Sequence, residues 1–120
     1  MRGLTIIVAG QDPARLRSAL GMAATQAALG GPARLFLDGT AVSLLRAPVV
    51  GPDDAEHQAA GLPTLGELVD TCFALGARII LCQTGLALAG LAAASLDPRL
   101  ETGGMTRILA TLGDDRLVAL

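Results

Sequence analysis

RIILCQTGLALAGLAAASL, residues 78–96, admits two readings, one long apolar helix or a strand followed by a helix. From Ile79 to Leu96 it carries no charge, and a run of 18 such residues is formally long enough to span a membrane as a helix. Its interior argues against that reading. Gln83, Thr84 and Gly85 divide it into a β-branched half and an Ala/Leu half, which predicts a strand over Arg78–Cys82 feeding a buried helix over Leu86–Ser95. Asp97-Pro98 breaks that helix. The same stretch poses a chemical question. Cys82 is either a reactive thiol displayed where a strand ends or a small apolar side chain filling a core.

Working outward, Leu4 to Ala9 (LTIIVA) is another short apolar run, ended by Gly10, as expected of a strand buried on both faces. Asp12 then caps a helix whose first residue is Pro13, where the missing N–H costs nothing and the fixed φ suits the helix. Leu16, Leu20, Ala23 and Ala27 form its core stripe, with Arg15, Ser18, Thr25 and Gln26 mainly turned away. Gly30-Gly31-Pro32 stops it. A second strand is predicted at Ala33 to Asp38 and a helical turn at Thr40 to Leu45.

Arg46 to Pro63 is the least regular segment, rich in proline and charge, with a brief strand possible at Pro-Val-Val. Thr64-x-x-Glu67 matches a capping box and opens a helix with Leu65, Leu68, Cys72 and Leu75 on one face, closed by Gly76. Cys72 there reads as a small buried hydrophobe. A helix at Met105 to Leu112 and a strand at Arg116 to Leu120 complete the chain. Strands alternating with helices predict a single α/β domain over residues 1–120, a mostly parallel sheet with helices on both faces.

Composition narrows the function classes. Hydrophobic residues make up 52% of the chain and charged ones 17%, against roughly 25% charged in an average domain. Part of the apolar surface is therefore expected to be covered by further copies of the chain. Phe36 and Phe73 are the only aromatics and the net charge is −2, which disfavours direct nucleic-acid binding. No membrane partner is expected, and Leu4 to Gly10 is too short and too weakly basic at its start for a signal peptide, so the expected location is cytoplasmic. Two cysteines without a compact pairing signature then read as free thiols.

Ligands in open α/β sheets collect beyond the carboxyl ends of the strands, where loops meet helix N-termini. Three such loops stand out: Gly10-Gln11-Asp12, Asp38-Gly39-Thr40 and Cys82-Gln83-Thr84-Gly85. Cys82 is the candidate catalytic residue, because free amides at the head of the following helix favour a thiolate, and a thiolate can hold a terminal sulfur as a persulfide. Gln83, Thr84, Gly85, Gly10, Gln11, Asp38 and Gly39 are the candidate ligand-binding residues. His57, the single histidine, reads as a solvated loop residue, and Asp53, Asp54 and Glu56 as solvated carboxylates. One histidine and two cysteines make no four-ligand zinc site within a chain. G-x-G-x-x-G is absent, so no dinucleotide fingerprint is present. No metal and no cofactor are expected.

LPTLGELVDTCFALGARIILCQTGLALAGL, residues 62–91, resembles the core signature of the DsrE/DsrF-like family: a capped helix after proline, a glycine, a strand, then a cysteine followed by a polar residue. LFLDGTAVSLL, residues 35–45, resembles the family's second strand and glycine-containing turn, and GGMTRILATLGDDRLVAL, residues 103–120, fits its layout. The resemblance implies a parallel sheet of about five strands, assembly as a homotrimer or homohexamer, and a sulfur-relay role. In that role the cysteine at the position of Cys82 carries a persulfide between donor and acceptor proteins, serving sulfur oxidation or tRNA thiolation. Some members are labelled peroxiredoxin-like, but Pro-x-x-x-Thr-x-x-Cys is missing here, so peroxidase chemistry is not expected. The alternative is an oligomeric small-ligand-binding or regulatory module in which Cys82 is merely buried.

Overall fold

In a computed structural model of residues 1–120, the apolar runs become parallel strands and the sheet they form places every candidate loop. The elements are β1 (Leu4–Ala9), α1 (Pro13–Ala28), β2 (Ala33–Asp38), a 3₁₀ helix (Gly39–Leu45), α2 (Asp54–Ala59), α3 (Leu65–Ala74), β3 (Arg78–Cys82), α4 (Gln83–Ala89), a short 3₁₀ turn (Ala93–Ser95), β4 (Glu101–Gly103), α5 (Met105–Ala110) and β5 (Arg116–Ala119). The sheet has five strands in the order β4-β3-β2-β1-β5, and every pairing is parallel. No helix is long and apolar enough to cross a membrane.

Register sorts the side chains into two unlike faces. Ile6 and Val8 pair with Leu35 and Leu37, which pair with Ile79 and Leu81. All six are fully shielded from solvent, and burying each contributes roughly 1.5–3 kcal/mol. On this face lie α1 and α3, whose buried Leu16, Ala19, Leu20, Ala23, Val69 and Cys72 join the same core. The strands β1 to β4 advance in one direction across the sheet, so right-handed crossovers keep α1 and α3 together, whereas the return from β4 to β5 takes α5 over the opposite face. That opposite face is polar at its base: Thr5, Arg34 and Arg78 stand side by side in register. Helices thus cover both faces, giving three layers.

The capping signals form as read. Asp12 accepts the Ala14 N–H at 2.9 Å. Thr64 and Glu67 make the reciprocal capping box. Several boundaries differ from the sequence reading. The helix expected at Leu86–Ser95 is Gln83–Ala89, ended by Gly90 at φ +65°, a left-handed conformation that glycine adopts without steric cost. Pro-Val-Val forms no strand, and the irregular segment contains α2 instead. β4, Glu101–Gly103, is a strand the sequence reading did not predict: its three residues carry no apolar pattern and are strand only by pairing with β3. Gln26 is buried rather than turned outward, because its amide donates to the Arg2 carbonyl and accepts from Arg116, joining α1 to the sheet edge. On α3 the buried stripe is Leu65, Val69 and Cys72, while Leu75 is exposed.

The Arg46–Pro63 segment is tethered by one carboxylate. Asp54 accepts N–H bonds from Gly51 at 2.8 Å and Leu65 at 2.9 Å, and pairs with Arg17 of α1 at 3.1 Å. The Leu65 amide, the Gly51 amide and the Arg17 guanidinium hold its carboxyl below the ordinary aspartate value of 3.8 against the opposing effect of burial. A depressed folded-state pKa stabilises the fold above the unfolded-state value, and this contribution fades as pH falls through the lower folded-state value. The tether is therefore intact at neutral pH and loosens only in strong acid. Asp54→Ala is expected to speed amide hydrogen exchange at Gly51 and Leu65 by roughly tenfold or more at neutral pH while leaving β1 to β3 protected. Unchanged exchange at both amides would contradict the assignment.

Candidate functional site

Because the strands are parallel, their carboxyl ends share one edge of the sheet. Ala9 pairs with Asp38, Leu37 pairs with Leu81, and Cys82 pairs with Gly103. Asp38 and Cys82 are therefore neighbours, with Gly39 and Gln83 one step beyond. The structure brings Asp38, Gly39 and Cys82 to Gly85 together at this edge. Gly10 and Gln11 follow β1 on the same edge, two strands from β3, and both are exposed.

Cys82 ends β3 and caps α4, where its sulfur accepts the Gly85 N–H at 3.5 Å. The residue is 8% exposed, while Gln83 and Thr84 beside it are exposed. Gly85 is held for a different reason. A Cβ there would stand 2.2 Å from the Gly39 carbonyl oxygen and 2.9 Å from its carbon. Only a residue without a side chain lets the head of α4 lie against the turn after β2, and that contact fixes the Cys82 loop on Gly39.

Cys72 is the built-in contrast. It is fully buried on α3, donates its S–H to the Leu20 carbonyl at 3.3 Å, and burial pushes its thiol up to about 11. A thiol so raised stays protonated and unreactive at neutral pH. Both cysteines are free.

The larger cavity is not centred on the candidate loops. About 860 Å³ in volume, it lies over the polar sheet face between β3, β4 and α5, and of the expected site residues only Gln83 lines it. Arg34, Arg78, Glu101, Arg107 and Asp115 are its charged residues. Sequence reasoning missed it because these residues meet only in the folded sheet. The available signal was Arg34, a charge inside a strand whose centre is apolar, which marks a polar face. A smaller cavity of about 240 Å³ lies by the start of α1 and includes Arg17, Asp53 and His57. His57 Nδ1 sits 2.7 Å from the Asp53 carbonyl oxygen. No three histidine, cysteine or carboxylate side chains are grouped as a metal ion requires. The 46–63 segment hydrogen-bonds to α1, α3, Ser43 and Ser95, with none to residues 82–85.

Solved structures share this fold. The YchN protein from E. coli superimposes over 100% of both chains with a TM-score of 0.73 at 20% sequence identity. MTH1491, a protein of unknown function from Methanobacterium thermoautotrophicum, does so over 100% of both chains with a TM-score of 0.75 at 12% identity. The chain has a DsrE/YchN-like fold. At these identities the likeness concerns the path of the chain and not its chemistry. No family model and no curated protein matches the sequence.

Proposed function

We propose that this protein is a sulfur carrier in which Cys82 holds a persulfide. The observation that carries the reading is the inequality of the two cysteines: Cys72 is sealed in the core with its thiol raised, whereas Cys82 sits at the sheet's ligand-collecting edge beside exposed Gln83 and Thr84. The DsrE/YchN-like fold and the family resemblance of residues 62–91 support it. In the transfer step the Cys82 thiolate attacks the outer sulfur of a donor persulfide, R–S–SH. One S–S bond forms as another breaks, the donor leaves as R–S⁻, and Cys82–S–SH remains, with no net oxidation. The Gly85 N–H and the Gly85–Gly39 contact hold the sulfur in place. Donor and acceptor proteins, and a cytoplasmic setting, belong to this reading. So does assembly as a homotrimer or homohexamer, which exposed Leu88, Leu109 and Leu117 support as surface available for burial between copies; a monomer in sedimentation at micromolar concentration would remove that part.

Alkylation separates this reading from a binding module with an inert core cysteine. Iodoacetamide at neutral pH is expected to label Cys82 at least about tenfold faster than Cys72, since the thiolate is the nucleophile and the Cys72 thiol is held at about 11. Slow labelling at equal rates would count against a reactive Cys82.

A further inference from the structure

We infer that the cavity between the polar sheet face and α5 binds a small molecule bearing two or more carboxylate or phosphate groups, with Arg107 as its principal anchor. The inference does not depend on sulfur chemistry at Cys82.

The cavity lies on the sheet face opposite α1 and α3, beside α5, a helix of only six residues. Its apolar lining is Leu4, Ala33, Ile80 and Ile108, flanked by side chains rich in charge. At about 860 Å³ it falls within the range of small-molecule sites, yet only four of its 16 lining residues are hydrophobic. No aromatic residue lines it, so it offers charge and hydrogen bonds rather than stacking.

Charge decides the ligand class. Arg34 and Arg78 are direct neighbours on adjacent parallel strands, an arrangement of like charges that costs stability unless something answers it. Arg34 is answered within the protein. It donates to Thr5, Thr111 and the Ile108 carbonyl and lies 3.9 Å from Asp115, so its role is to brace the wall. Arg78 is answered in part, by a two-pronged bond to Glu101 at 2.9 and 2.7 Å. Arg107 is not answered. The ion pairs of the molecule engage Arg15, Arg17, Arg34, Arg78 and Arg99, and no side chain accepts from Arg107. Three guanidiniums against two carboxylates leave one positive charge in excess, inside a protein whose net charge is −2. All nine basic residues are arginines, whose planar donor forks match carboxylate and phosphate oxygens two at a time. Thr102 and Thr106 add hydroxyls to the same lining.

Isothermal titration at low ionic strength with two probes, citrate and inorganic pyrophosphate, tests the site and distinguishes the two anion chemistries. Binding of either at one site per chain is expected, and preference between them assigns carboxylate or phosphate. Arg107→Ala, at an exposed position, is expected to weaken binding about tenfold or more. Arg46→Ala, an exposed arginine outside the cavity, is expected to leave it unchanged. A thermal melt of each variant checks that the fold persists. Failure of both probes to bind, or equal weakening by the two substitutions, would overturn the proposal.

Discussion

Gly85→Ala is expected to destabilise the protein by about 2–4 kcal/mol, lowering the melting temperature by roughly 5–15 °C. The magnitude follows from what the new methyl meets. It lands 2.2 Å from the Gly39 oxygen, 2.9 Å from the Gly39 carbon and 3.2 Å from its Cα, all backbone atoms that cannot rotate aside. Either the head of α4 or the turn after β2 must move by on the order of 1 Å, and Leu81 beside them is fully buried in a close-packed core. The cost is local in origin but reaches the candidate site, because the displaced segment carries the N–H that Cys82 accepts. A second consequence separates this account from simple overpacking: the surviving folded protein is expected to show a changed Cys82 alkylation rate, with Cys72 unaffected. Gly104→Ala is the natural control, since a Cβ there meets nothing within 4 Å and its φ of −126° is ordinary extended backbone. Differential scanning calorimetry of the two variants checks the prediction, and equal melting temperatures would contradict it.

Much of the architecture is legible in the sequence because its strongest elements are locally specified. β1, β2 and β3 read clearly, since each is an apolar run closed by a glycine or a polar turn and buried on at least one whole face. The caps of α1 and α3 read equally well because side-chain oxygens and backbone amides two or three residues apart satisfy one another wherever the chain goes. The misread elements depend on distant partners. Glu101–Gly103 has no strand signature and becomes one by pairing with the edge that β3 leaves open. Gln26 looks solvated on a helical wheel, yet its partners lie just before β1 (Arg2), just before β2 (Pro32) and at the start of β5 (Arg116). Small residues from Leu86 to Ser95 predict one helix, whereas Gly90 takes a left-handed turn that composition does not reveal.

The candidate site divides in the same way. Asp38, Gly39 and Cys82 to Gly85 converge because parallel register is a rule of the fold class, so their meeting follows from the sequence pattern. The reason Gly85 must be glycine could not, since it rests on a backbone contact with Gly39, more than forty residues earlier in the chain. The arginine-lined cavity was hidden for the same reason: Arg34, Arg78 and Arg107 come from three elements, and although Arg34 within its strand marks a polar face, only the fold brings the three together.

The second large effect concerns Cys82 itself, and it is all-or-none. Thiolate attack on a persulfide needs a sulfur that can be approached, and of the two cysteines only Cys82 has any exposed surface, at 8% against 0% for Cys72. The sulfur of Cys72 is also committed to the Leu20 carbonyl. Substitution of Cys82 by serine preserves the size of the side chain and an acceptor for the Gly85 N–H, so the fold is expected to persist while the chemistry disappears. Cys72→Ser leaves Cys82 untouched, although placing a hydroxyl in an apolar site costs roughly 1–3 kcal/mol where its hydrogen bonding is incomplete.

The most direct measurement is therefore intact-mass spectrometry, with peptide mapping, of the wild-type protein, Cys82→Ser and Cys72→Ser after incubation with a persulfide donor. The account predicts a gain of one sulfur atom on the peptide containing Cys82 in the wild type and in Cys72→Ser, and none in Cys82→Ser. An undiminished gain of sulfur in Cys82→Ser, or no gain in the wild type, would contradict the assignment of Cys82 as the carrier.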